Sequence, residues 1–345
     1  MAYTTIDKPS EHFNIKLTTG TGSSQAVTGL GFQPDWIWGK RRDSTGHNSW
    51  FDSVRGVTKG LESNQTNAEF TSTDYYSSFD SDGFTIAAGA SGAGNGSSQT
   101  AVQWCWKGGG TASSNSNGSI TSSVSANPTA GFSIVSWTSD GSDATIGHGL
   151  SSAPQLIIHK HRTGTVQWNV YANVPGAGTG GYLRIDGNNA WGSNSGFFGT
   201  APTATVFSPG SHSYMSGNGN TNIAYCFANV KGYQKIGTYN GNGDADGPFV
   251  FTGFKPAWVL TKTISTTSHW QLFDTKRSPI NEMDERLKAS DNSGEDENLD
   301  RDFYSNGFKI RNDNATINGS GVAMFYIAIA EEPFVTSTKI PATAR

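Results

Sequence analysis

Hydrophobic and polar positions alternate in short runs along most of this chain. Trp36, Trp38 and Lys40 alternate with Asp35, Ile37 and Gly39, and Val102, Trp104 and Trp106 alternate with Gln103 and Cys105. Runs of roughly four to eight residues with this period, bounded by Gly, Asn and Ser, predict half-buried β-strands. The intervening Gly, Asn and Ser supply positive φ and local side-chain hydrogen bonds, the chemistry of turns. One short, charged window, residues 281–289, has helical spacing.

The runs recur. Pro34 to Lys40 reads Pro-Asp-Trp-Ile-Trp-Gly-Lys; it returns as Pro-Gln-Leu-Ile-Ile-His-Lys from Pro154 and as Pro-Ala-Trp-Val-Leu-Thr-Lys from Pro256. Without a gap, Trp50-Phe51-Asp52 then corresponds to Val170-Tyr171-Ala172 and Leu272-Phe273-Asp274, and Asn48 to Trp168 and Trp270. Each unit opens on an aromatic (Phe13, Phe132, Tyr233) and closes on an apolar run, 101–106, 223–227 and 322–327. A fixed period of this size marks a repeat architecture. The division is an N-terminal docking arm (1–12), three units (13–110, 131–232 and 233–335), a Gly/Ser/Asn-rich linker (111–130) and a C-terminal tail (336–345). Several short strands per unit of about 100 residues predict an all-β fold of three tandem antiparallel β-sandwich units, jelly-roll or lectin-like, each with its own core.

Bulk, rather than the indole, persists at the repeated positions, where Trp exchanges with Leu, Ile and Val. That is core behaviour. The expected core is Trp36, Trp38, Trp50, Trp104, Leu156, Tyr171, Tyr225, Trp258, Phe273 and Phe325. Trp137, Tyr182 and Trp191 lie outside the shared pattern, and an aromatic in a polar loop is a contact residue for a ligand or a second subunit.

Composition narrows the function. Gly is 43 of 345 residues and only 15% are charged, yet aromatics reach 12% with ten Trp, so the chain can build cores and is not disordered. A net charge of −4 argues against a nucleic-acid binder, which needs a basic face. No run approaches the ~18–20 apolar residues of a membrane span, and the first residues lack a signal peptide's apolar centre, which predicts synthesis in a cytoplasm and no membrane insertion.

The chemistry-bearing residues are sparse. Cys105 and Cys226 occupy one repeat position, with Tyr326 aligned to it in the third unit, and read as small buried hydrophobes. His159 and His161 would share a strand face, but no ligand cluster accompanies them, so a solvated strand end is expected. Residues 291–302 hold six acids; their spacing departs from the calcium loop whose Gly falls sixth, so they read as a solvated acidic loop. Lys40 and Lys262 each stand 12 residues before an Asp, Asp52 and Asp274, and would pair with it across a hairpin. No nucleophile elbow, zinc-protease motif or phosphate loop is present, and the expectation is a protein without cofactor, metal or enzymatic activity.

The segments Gly31–Lys40, Trp50–Gly56, Phe79–Phe84 and Trp104–Gly108 together resemble a family of repeated lectin-like domains found in structural proteins of marine tailed bacteriophages, often tail fibres or appendages. The likeness runs over most of 13–335 and is weakest in the second unit, at Leu156 and Ala172. It implies a concanavalin-like β-sandwich, a place on the virion, other virion proteins as partners through the N-terminal arm, a homo-oligomer with a trimer favoured, and host-surface glycans as ligands. It assigns no catalytic residues. A capsid decoration or head-fibre protein is the alternative, and a glycan-cleaving enzyme ranks third.

Overall fold

In each repeat the strand carrying the Pro-x-apolar motif lies in the middle of a sheet: Trp36–Arg41, Leu156–His161 and Phe254–Thr263. On one side it pairs antiparallel with Asn48–Asp52, Asn169–Ala172 or Gln271–Asp274. On the other it pairs with the strand that closes the repeat, Thr100–Trp106, Thr221–Phe227 or Ala323–Pro333. The opening strand, Phe13–Thr19, Phe132–Thr138 or Gln234–Asn240, lies beyond that one. The protein is all-β, and these four strands stand in the same order in all three repeats. The structure, a computed structural model, describes residues 4–175, 177–178 and 180–333; the tail 336–345 lies outside them.

Register settles the alignment of the third repeat. Trp38 lies between Trp104 and Trp50, Ile158 between Tyr225 and Val170, and Leu260 between Ile327 and Leu272. The position of Cys105 and Cys226 is therefore filled by Ala328, not Tyr326: the three face Ile37, Ile157 and Val259.

The motif strands are buried on both faces rather than one, with Trp36 to Lys40 and Leu156 to His161 all buried. Side chains of alternate residues serve two layers. Trp36, Trp38, Trp50, Trp104 and Trp106 join Phe132, Leu156, Ile158, Trp168 and Tyr225 and then Trp258, Leu260, Trp270, Phe325 and Ile327 in one continuous cluster. This corrects the expectation of a separate core for each repeat. Trp36 alone packs its ring within 4.2–6.0 Å of Trp38, Trp50, Trp106, Phe132, Tyr225 and Phe227, thereby joining two repeats. All ten residues expected in the core are buried.

The opposite faces carry smaller second layers. In the first repeat Ile37, Phe51 and Cys105 meet Val27, Tyr76, Phe84 and Ile86. In the second Ile157, Tyr171 and Cys226 meet Trp137, Ile146, Phe198 and Phe207. In the third the second layer is continuous with the first: eight strands run from Gln234–Asn240 to Phe249–Phe251, and Lys235 Nζ spans the remaining gap to the Phe251 carbonyl at 2.6 Å. That sheet is nearly a closed barrel.

Three segments depart from expectation. Residues 111–130 are not a free connector, because Ser113–Asn115 and Ser122–Asn127 add two strands to the second-repeat sheet. The amides of Gly108 and Gly110 also bind Asp35. The window 281–289 contains the strand Met283–Lys288, since pairing on both sides overrides a weak local preference. The described part of the N-terminal arm is packed down: Ile6 is 2% exposed and belongs to the central cluster.

Candidate interaction surfaces

The same positions of each repeat reach into a neighbouring repeat, and the reaches close a cycle. Lys40 donates to the Asp291 carbonyl of the third repeat, Lys160 to Thr66 of the first, and Lys262 to Asn188 of the second. The residues at the aligned Asn48 position follow the same order. Asn48 Nδ2 donates to the Lys288 carbonyl, Trp168 Nε1 to Glu62 and Gln65, and Trp270 Nε1 to Arg184. The lysines therefore do not pair with Asp52 and Asp274, which lie at the far ends of their hairpins, as Trp36 opposite Asp52 shows. Burial pulls each of the three ammonium groups down to about 8.

Two junctions are ionic. At the first, Asp52 accepts from Arg55 at 2.5 Å and from the Tyr225 hydroxyl of the second repeat at 2.7 Å, while Glu69 binds Arg55 and Arg162. At the second, Asp274 accepts from Arg277 at 2.5 Å and from Trp104 Nε1 of the first repeat at 3.0 Å, while Glu295 binds Arg277 and Arg42. The third junction replaces the whole set. Ala172 stands for the Asp, Ile264 for Arg42 and Arg162, and Ile327 for Trp104 and Tyr225. Trp191 stands for the Glu, its amide binding the Ile264 carbonyl at 2.7 Å as the Glu69 and Glu295 amides bind Arg162 and Arg42. Removing every charge together avoids leaving one buried and unpaired.

This assigns the sequence-derived candidates. Trp191 is an internal strap: its ring covers Gly181, where a Cβ would fall 2.1 Å from the indole, and packs against the central cluster. Tyr182 covers Gly192 on the paired strand, lies 4.5 Å from the Arg184 guanidinium and stacks edge-on against Phe197. Trp137 is 4% exposed and belongs to the second-repeat core, at the floor of a groove lined also by Ser114, Ser136, Arg162 and Thr221. None of the three is distinguishable in sequence from a surface aromatic, because their covering contacts depend on how loops of irregular spacing fold back.

The polar candidates are likewise bound into the body. His159 is fully buried against Asn222, with Nε2 at 3.0 Å from Oδ1, and burial lowers its pKa to about 3; the expected solvated strand end is corrected. The unfolded chain protonates this ring near 6.5 and the folded chain does not, so stability falls as pH drops below 6.5. Lowering pH from 7.5 to 5 should cost about 2 kcal/mol through this residue. Denaturant midpoints of the protein and of His159→Gln measure it; an equal pH dependence in both would refute the assignment. The acids of 291–302 lie largely on the strand Asp296–Tyr304, where Asp296 binds Arg286 and Lys288. Glu295 and Asp296 are thus committed to basic partners, and no cluster of three metal-ligating side chains occurs among the described residues.

Several grooves open outward among the described residues, two of them above 500 Å³. One of about 530 Å³ runs between the first two repeats past His12, Asp35, Lys107 and Asn127. The other, about 550 Å³, lies on the second repeat and is walled by hydroxyls, among them Ser119, Thr145, Thr200 and Ser208, with Asp143 the carboxylate. The third repeat instead carries an apolar patch. Phe249, Phe251, Ile280 and Tyr304 are four of the six large apolar side chains that are exposed among the described residues, Ile280 at 78%. Phe249 lies over Gly307, and its ring stands 6.1 Å from Tyr304 at 65°. Pairing of Val27 with Phe84 and of Val250 with Phe308 aligns Phe249 with Ala26, Phe251 with Thr28 and Tyr304 with Asp80. The first repeat thus builds the same sheet with small and polar residues, so folding does not require these rings. Sequence comparison within the chain missed them for want of that register.

These features define an internally repeated, all-β protein whose buried polar groups hold the repeats together and whose grooves and patch face outward. The chain belongs to the family DUF7483, a domain of unknown function, whose model matches residues 8–333. One match spans all three repeats, in keeping with their common core. No curated protein matches the chain.

Proposed function

We propose that the protein is a structural component of a bacteriophage virion, a fibre or appendage assembled in the host cytoplasm, with host-surface glycans and other virion proteins as its contacts. In this reading each third is a concanavalin-like β-sandwich fused to the other two. The observation that carries the reading is the contrast between inside and outside. Lys40, Lys160, Lys262, Asp52, Asp274, Arg55, Arg277 and His159 are all engaged in buried structural bonds. The outward groove of the second repeat instead offers hydroxyls and one carboxylate, groups that match the hydroxyls of a sugar. Uncharged hydrogen-bonding surface is also insensitive to the ionic strength outside a cell.

Attachment to the particle is through residues 1–12 in this reading, an arm in which Asp7, Lys8 and Glu11 are exposed while Ile6 anchors it to the core. A trimer, the homo-oligomer favoured for such an appendage, would cover exposed sheet edges. Labelling virions with an antibody to the third repeat should mark the tail or its appendages; label on the head facets would replace this reading with a capsid decoration protein. On an array of host-derived glycans the protein should bind, and Asp143→Ala should weaken binding about tenfold, the order of one lost charged hydrogen bond. Silence across that array would leave an architectural role, and new reducing ends from host polysaccharide would indicate a hydrolase.

A further inference from the structure

We infer that the interior of the third-repeat sheet binds one small monovalent anion, of the chemistry of chloride, at the guanidinium of Arg301. Arg301 is fully buried, yet none of its Nε, Nη1 and Nη2 atoms has a hydrogen-bond partner among the described residues. The other buried Arg residues described, Arg55, Arg184 and Arg277, each donate to an acceptor of the protein. Burial draws the Arg301 pKa down to about 10, which leaves the group charged at neutral pH. A charge in an apolar interior without a counter-charge is strongly unfavourable, so the fold calls for one at this place.

The strand supplies no carboxylate on that side. Leu299, Arg301 and Phe303 face inward, whereas Asp300 and Asp302 alternate with them, and Asp302 accepts from the exposed Tyr304 hydroxyl. The partners of Arg301 across the sheet, Met283 and Ile310, are apolar. One face of the guanidinium is closed by the Phe273 ring, 3.7 Å from Cζ. A ligand must therefore meet the N–H edge, where five donors lie in one plane.

Register brings two further side chains to the same place. Arg301 faces Ile310 as Tyr76 faces Ile86, so Arg301 stands where the first repeat has Tyr76. Each leans on the aligned ring, Tyr76 on Phe51 and Arg301 on Phe273. The Tyr76 hydroxyl reaches the Gly39–Ser49 pair and lies 2.5 Å from where a Cβ on Gly39 would fall. In the third repeat that pair is Thr261–Gln271, and Thr261 Oγ1 and Gln271 Oε1 are both buried with no partner among the described residues. Thr261 adds a hydroxyl donor to the five of Arg301. The Gln271 amide, turned about its terminal bond, presents its NH2 to the same point.

Charge selects the ligand. The three side chains carry one positive charge between them, so a monovalent anion neutralises the site and a divalent one would leave a buried negative charge. Water would satisfy N–H groups but leave the guanidinium without a counter-charge. Apolar neighbours on the flanking strands offer no donors to the outer oxygens of a larger anion, which favours a single-atom one.

Denaturant unfolding in chloride and in gluconate at one ionic strength tests this. Above its dissociation constant, each tenfold rise in chloride should raise the folding equilibrium constant about tenfold, and gluconate, too bulky for the interior, should not. Arg301→Met should abolish the difference and Thr261→Val should reduce it. Crystals of the parent protein grown with bromide should show an anomalous peak at the N–H edge of Arg301, a readout that needs no variant. Equal stability of the parent in the two salts, a chloride dependence that survives Arg301→Met, or bromide confined to the protein surface would each overturn the inference. None of these outcomes depends on whether the protein is found on a virion.

Discussion

Asp52→Ala will lower folding stability by about 3 kcal/mol, and Asp274→Ala by a similar amount. Both carboxylates are fully buried at a junction between repeats, each bound to an Arg at 2.5 Å whose side chain is also fully buried. Removing the acid leaves a guanidinium desolvated and short of its closest counter-charge, and breaking a buried pair in this way costs about 3–5 kcal/mol. Glu69 at 3.3 Å and Glu295 at 2.7 Å still face the two Arg residues, which places the effect at the lower end. The Tyr225 hydroxyl and Trp104 Nε1 lose their acceptor as well. Removing both charges should reverse much of the loss: Asp52→Ala/Arg55→Met should recover at least half of it, because the junction at Ala172 is built without either group. Denaturant unfolding of the single and double variants measures this. A double variant less stable than Asp52→Ala would show that the ionic junction cannot be exchanged for an apolar one.

Trp36→Ala should cost about 3–5 kcal/mol, the range for deleting a large aromatic from a packed core. More informative is how the loss is distributed. Trp36 stacks on Tyr225 at 4.6 Å and on Phe132 at 5.7 Å, both from the second repeat, as closely as on its own neighbours Trp38 and Trp50. The variant should therefore unfold in one transition at lower denaturant, with near- and far-ultraviolet circular dichroism coincident, as two-state behaviour requires. If the first repeat alone melts early while the other two persist, the shared core is not the unit of stability.

The strands were legible because alternation is a local property: Trp36, Trp38, Trp104 and Trp106 declare their spacing without any partner. The repeat was legible for the same reason, as was the preference for bulk over indole in the core. What misled was the step from strand to layer. Alternation implies one face in and one face out, yet Ile37 is buried too, under Val27, Phe84 and Ile86. The residues 113–127 show the converse. Their Ser, Asn and Gly look like a connector, but Val124 is 5% exposed within two paired strands, and the backbone bonds that hold them are invisible in composition.

Of the surface candidates standing outside the pattern, Trp191 and Trp137 are tied to partners some 70 residues away, Ile264 and Phe207, whereas Tyr182 is held by the nearby Arg184, Gly192 and Phe197. The exposed strand residues Phe249, Phe251 and Tyr304 are not marked by the sequence, since single apolar residues in strands look alike whether they face in or out. Only the register that aligns Val250 with Val27 distinguishes them.

The amino-acid sequence by itself determined that this protein is all-β, that it consists of three related stretches, and which side chains fill its interior, because periodicity and bulk act within a few residues. Tertiary structure alone decided that the three stretches close a cycle around one core, that two junctions are ionic and one apolar, and which aromatics meet solvent. Those outcomes depend on groups from 74 to 253 positions apart coming within a few ångströms, and neither spacing nor composition encodes such distances.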